Sequence, residues 1–97
     1  MTQPILTGAE RRELRANGQL LSDMAAIGYH GVTDTVKSEI DGQLSRHQLI
    51  KIRATETDRK ARQALFEQVA ETCDAALVST VGRTALLYRP ATDSAEQ

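Results

Sequence analysis

The segment Leu49-Ile50-Lys51-Ile52-Arg53-Ala54 alternates apolar and charged residues. That period of two predicts a strand with one buried face and one wet face carrying Lys51 and Arg53. On both sides of it the apolar repeat lengthens. Val36, Ile40 and Leu44 recur every four residues upstream, and Ala61, Leu65, Phe66, Val69, Ala70 and Cys73 form a helical stripe downstream. A strand between two amphipathic helices constrains the chain to an α/β fold in which the helices cover a sheet.

Start and stop signals extend the pattern in both directions. Thr7-Gly8-Ala9-Glu10 fits a capping box, so a first helix is expected over Gly8 to Ala16, with Asn17-Gly18 as its stop. Gln19 to Ile27 reads as a weakly patterned strand. A helix over Asp34 to Ser45 takes Thr33 as its cap, and one over Asp58 to Thr72 takes Thr57 or Asp58. Ala75–Val78 and Ala85–Tyr88, joined through Val81-Gly82-Arg83, predict a closing hairpin before Pro90. The order is αβαβαββ. Strands separated by helices imply crossover connections and a four-stranded mixed sheet. The second and third helices are expected mostly on one face, with the first at an edge or end of the sheet.

Composition bounds the function. The chain has 97 residues, enough for one domain, read as residues 1–90 with a flexible polar tail over 91–97. Its apolar runs are too short for a membrane span, and the first residues lack the basic start and long apolar stretch of a signal peptide, so a cytoplasmic protein is expected. Cys73 is the one cysteine, which excludes an internal disulfide, and on an apolar helical stripe it reads as a small buried hydrophobe. His30 and His47 have no Cys or carboxylate at ligand spacing, so no metal or other cofactor is expected. No nucleophile, general base or carboxylate pair stands in a catalytic pattern, and the chain is not read as an enzyme. Net charge is only −1, yet between Ser45 and Arg62 six bases (Arg46, Lys51, Arg53, Arg59, Lys60, Arg62) face two acids (Glu56, Asp58). From Gln63 to Gly82 there are acids and no bases, so a neutral total hides a positive region.

The remaining feature is Gly28-Tyr29-His30-Gly31, which follows Met24-Ala25-Ala26-Ile27 and opens the second helix. Two glycines three apart let a partner approach the backbone. A helix start offers unpaired N–H groups and the positive end of a dipole, which suits phosphate. Tyr29 can stack on a base and His30 can hydrogen-bond to phosphate. The loop lacks the Lys-Ser/Thr of a P-loop and the third glycine of a dinucleotide fingerprint. Asp34, just behind, favours the helix dipole but would repel phosphate if it shared the same space.

Ile27-Gly28-Tyr29-His30-Gly31-Val32-Thr33 resembles the glycine loop of the CRM domain, the chloroplast RNA splicing and ribosome maturation module, whose stand-alone bacterial members are YhbY-type proteins. His47-Gln48-Leu49-Ile50-Lys51-Ile52 is similar to the family's second strand, and Val81 through Pro90 to its closing strand. The likeness runs from about Leu6 to Pro90. It implies a fold like the C-terminal domain of translation initiation factor 3, with an additional N-terminal helix. It also implies RNA binding and association with large-subunit ribosomal RNA or precursor particles; neither DNA nor membrane is expected as a partner. Carried onto this sequence, Gly28, Tyr29, His30 and Gly31 become a backbone clamp beside Thr33, with Lys51 and Arg53 on a basic strand. Arg11, Arg12 and Arg15 join from position and charge. Gly31→Asp is expected to weaken binding and leave the fold intact, provided position 31 tolerates a side chain. The alternative is a protein-interaction module of the same fold with weak or lost RNA binding, using the Glu67, Glu71 and Asp74 side.

Overall fold

The computed structural model describes residues 3–91. The elements run α1 (Gly8–Gly18), β1 (Asp23–Ile27), α2 (Asp34–His47), β2 (Leu49–Ala54), α3 (Arg59–Thr72), β3 (Ala76–Val81) and β4 (Thr84–Tyr88). The sheet order is β1-β2-β4-β3, with β1 parallel to β2 and the other pairings antiparallel. The mixed four-stranded sheet and the αβαβαββ order are those read from the sequence. Most of the expected tail, residues 92–97, lies outside the described residues.

Each helix begins where a short polar side chain can satisfy a free N–H. Thr7 and Glu10 form the reciprocal capping box on α1. Thr33 Oγ1 accepts from Val36 N–H on α2, and Asp58 accepts from Ala61 N–H on α3. The β3–β4 hairpin turns on Gly82-Arg83, with Gly82 at φ +58, as primed two-residue turns require.

The core lies between the sheet and the α2/α3 layer. Ile50, Ile52 and Ala54 of β2 meet Ile27, Ala85 and Leu87 from neighbouring strands, Ile40 and Leu44 of α2, and Phe66, Val69 and Ala70 of α3. Cys73 closes one side of this layer, and burial pushes its thiol above 9.0, with Asp41 reinforcing the shift. A protonated, buried thiol is an inert packing group.

Three sequence expectations change. First, β1 is only Asp23–Ile27, because Gln19 and Leu20 form a turn that finishes α1. Second, α1 runs two residues beyond Ala16. It ends without a left-handed glycine, since Gln19 stays at φ −61. Gly18 is needed for packing instead: a Cβ there would collide with Leu86 Cδ1 and approach Cδ2 to 2.6 Å. Third, α1 is not at an edge. It packs against β2, β3 and β4 on the face opposite α2 and α3. The residues Ala85, Leu86 and Leu87 are accordingly all buried, the mark of a strand covered on both faces.

α1 is tethered by side chains as well as by packing. Arg11 Nη1 donates to the carbonyls of Leu77 (2.9 Å) and Val78 (2.6 Å), where β3 takes an irregular step in register. At the far end of the sheet, Arg89 joins three elements. Its Nη1 donates to Asp41 Oδ1 (2.6 Å) and Cys73 O (2.9 Å), and its Nη2 to Ser45 Oγ (2.9 Å) and Asp41 O (3.1 Å). The planar fork thereby links the end of β4 to α2 and to the end of α3.

Gly18→Ala should cost about 1–2 kcal/mol by urea denaturation, because overpacking against Leu86 outweighs the gain in helix propensity. Arg89→Ala should cost about 2–3 kcal/mol in the same measurement, with Arg89→Lys recovering only part, since an ammonium lacks the two-nitrogen fork.

Candidate nucleic-acid interface

Parallel pairing of β1 and β2 brings their C-terminal ends to one end of the sheet. The Gly28–Gly31 loop leaves β1 there, and the Thr55–Asp58 loop leaves β2 beside it, with Thr55 N–H donating to Ile27 O at 3.0 Å. The hairpin turn joins them, since Ala54 N–H donates to Arg83 O at 2.9 Å. The starts of α2 and α3 lie at this end too.

The glycine loop is a tight turn. Gly31 N–H donates to Gly28 O at 3.1 Å, and Thr33 N–H donates to Gly31 O at 3.1 Å. Gly31 sits at φ +73, which only glycine adopts without strain, and an added Cβ would touch Leu65. The condition set for Gly31→Asp, that position 31 tolerates a side chain, is therefore not met. Gly28 differs: its φ is not positive, and among the described residues nothing lies within 4 Å of an added Cβ. Tyr29 is 92% exposed, and His30 is exposed beside it. The loop forms one wall of a depression of about 350 Å³ against Thr55, Glu56, Ala61, Ala64 and Leu65. Thr33 is held by its cap to Val36, and Asp34 is exposed at the first position of α2.

The basic residues named from sequence are not brought into one cluster. Lys51 projects from the middle of β2 towards the α1 face. It lines a cavity of about 480 Å³ with Arg15, Gln19, Ser79, Thr84 and Leu86. Ser79 Oγ is buried there with no hydrogen-bond partner among the described residues. Arg15 and Lys51 thus share a site, on the face opposite the core against which α2 and α3 pack. Arg53 is held by Asp23 at 2.6 Å, which offsets its charge locally. Arg11 is engaged with β3 carbonyls, while Arg12, on the same helix, is exposed and makes no hydrogen bond among the described residues.

A second basic surface emerges that sequence reasoning did not include in the site. Arg59, Lys60 and Arg62, at the start of α3, line a groove of about 730 Å³ with Gln63, Phe66, Thr80 and Gly82. The signal was present in the excess of bases between Ser45 and Arg62. What the sequence lacked was the position of the hairpin that forms the opposite wall.

Comparison with known proteins agrees with this architecture. The family model for the CRS1 / YhbY (CRM) domain matches residues 6–89. An RNA-binding protein of Haemophilus influenzae is 29% identical over 89 residues, covering 92% of this chain and 90% of its own length. A Bacillus subtilis relative, named a probable RNA-binding protein, is 28% identical over 85 residues, 88% of each chain. The solution structure of a hypothetical protein from Staphylococcus aureus superposes with a TM-score of 0.82 at 26% identity, covering 95% of this chain and 96% of that one. With residues 6–89 matched by the family model and the fold shared with the Staphylococcus aureus protein, the chain belongs to the CRS1/YhbY (CRM) domain family.

Proposed function

We propose that this protein binds RNA without catalysing a reaction on it, and that it acts in the cytoplasm on large-subunit ribosomal RNA or precursor particles during ribosome assembly. The names of its relatives support RNA as the ligand class. The observation that carries the site assignment is Gly28. The fold does not require a glycine there, neither by backbone angle nor by crowding. Its missing side chain leaves room for something outside the protein, beside an exposed tyrosine and the start of a helix.

In this reading Gly28, Tyr29, His30 and Gly31 close on a phosphate, with the free N–H groups at the start of α2 as donors. Thr33 fixes that helix start, and Tyr29 stacks on a neighbouring base. Lys51 and Arg15 supply cations on the opposite face, with lesser contributions from Arg12 and the Asp23-paired Arg53. Arg11 supports the surface through β3 and does not meet RNA directly.

Gly28→Asp is a cleaner test than any change at Gly31, because it places a carboxylate in the loop without backbone strain. The variant should melt like the parent and lose at least tenfold in affinity for large-subunit ribosomal RNA fragments by fluorescence anisotropy. It should also stop sedimenting with large-subunit precursors. Full binding by the folded variant would remove the loop from the interface. Lys51→Glu should weaken binding and make the plot of log affinity against log salt shallower by about one unit, the signature of a lost phosphate contact. An unchanged slope would exclude Lys51.

A further inference from the structure

Past its Asp58 cap, the charges on α3 run against what its stability asks for. Arg59, Lys60 and Arg62 occupy the first turn, and no acid appears until Glu67. Glu67 and Glu71 follow in the second half, and the last turn holds no base. A helix dipole favours the reverse arrangement. Arg59 and Lys60 are exposed, and none of the three bases pairs with a carboxylate among the described residues. The nearest acids in sequence serve the backbone: Glu56 accepts from Asp58 N–H, and Asp58 accepts from Ala61 N–H. Arg62 Nη1 donates to the carbonyls of Glu56 and Thr57, which holds its guanidinium at the mouth of the groove. The opposite wall, Thr80 and Gly82 of the hairpin, brings no charge, and among the described residues no acid lines the groove.

The groove lies on one flank of α3, and the depression under the glycine loop lies on the other. Arg59, Arg62, Gln63 and Phe66 face the hairpin, whereas Ala61, Ala64 and Leu65 face Gly28–Gly31. The first two turns of α3 therefore form a ridge between two concavities, about 10–12 Å across with its side chains. A double-stranded RNA offers the complement, a wide and shallow minor groove bordered by the phosphates of both strands.

We propose that the groove between α3 and the β3–β4 hairpin is a second phosphate-binding site. The start of α3 seats along the minor groove of an RNA duplex, with the Gly28–Gly31 loop on one strand and Arg59, Lys60 and Arg62 on the other. This deepens, and rests on, the RNA-binding reading above. It selects RNA with a base-paired stem over a wholly unpaired strand, the base on which Tyr29 stacks lying at the end of that stem.

The test is Arg59→Gln/Lys60→Gln in the full chain, with Arg62 left intact because it holds the loop. Anisotropy titrations would use an RNA duplex of about 16 base pairs and an unpaired strand of the same length, from about 50 to 200 mM salt. The expected result is at least tenfold weaker duplex binding and a salt slope shallower by nearly two, with less than twofold change on the unpaired strand. An unchanged duplex slope in a folded variant, while Gly28→Asp still loses binding, overturns the second site and leaves the glycine-loop reading standing. Equal losses on both RNAs overturn the duplex ridge. Absence of binding by the parent protein to either RNA overturns the RNA-binding reading and this proposal together.

Discussion

The parallel pairing of β1 with β2 is the constraint on which the rest of the molecule depends. Two parallel neighbours need a crossover, and α2 supplies it, so the chain must leave β1, turn, and start a helix at the same end where β2 later finishes. The antiparallel return of β4 then places the Gly82-Arg83 turn at that end as well. Three loops and two helix starts converge there although they are distant in sequence. The hydrogen bonds from Thr55 to Ile27 and from Ala54 to Arg83 bind these loops into one surface.

The opposite end is organised differently. There Arg89 reaches α2 and the carbonyl at the end of α3, and Gln48 turns directly from α2 into β2 at φ 67. One end of the sheet thus uses its polar groups on itself, whereas the other leaves glycine, aromatic and cationic groups open. The division follows from charge placement along the chain: the bases of α3 precede its acids, and the hairpin adds Arg83 at the same end.

Where local periodicity met a single buried face, the sequence was readable. Leu49–Ala54 is the strand that alternation predicts, and the capping residues Thr7, Thr33 and Asp58 mark the true helix starts. β1 was harder, since its Ala25 and Ala26 have weak strand preference and it is fixed by pairing with β2. The position of α1 was not readable either, because it depends on which strand carries two covered faces. That is shown by the burial of Leu86 between Ala85 and Leu87, in a stretch where consecutive apolar residues have no period. For the candidate site, the glycine loop stood out from its spacing. The roles of individual bases did not: Arg11 and Arg15 are one helical turn apart, yet one grips β3 and the other lines a cavity with Lys51.

The grip of Arg11 on β3 also bears on how the chain behaves among copies of itself. β3 is an outermost strand, and an unguarded outer strand is a template on which another chain can pair and begin an aggregate. Here the carbonyls of Leu77 and Val78 already have a donor, and the ladder is broken between Leu77 and Ser79. On the other margin β1 is five residues long, with its own break between Asp23 and Ala25. Among the described residues neither margin offers a long, regular row of free groups, which disfavours growth of the sheet by strand addition.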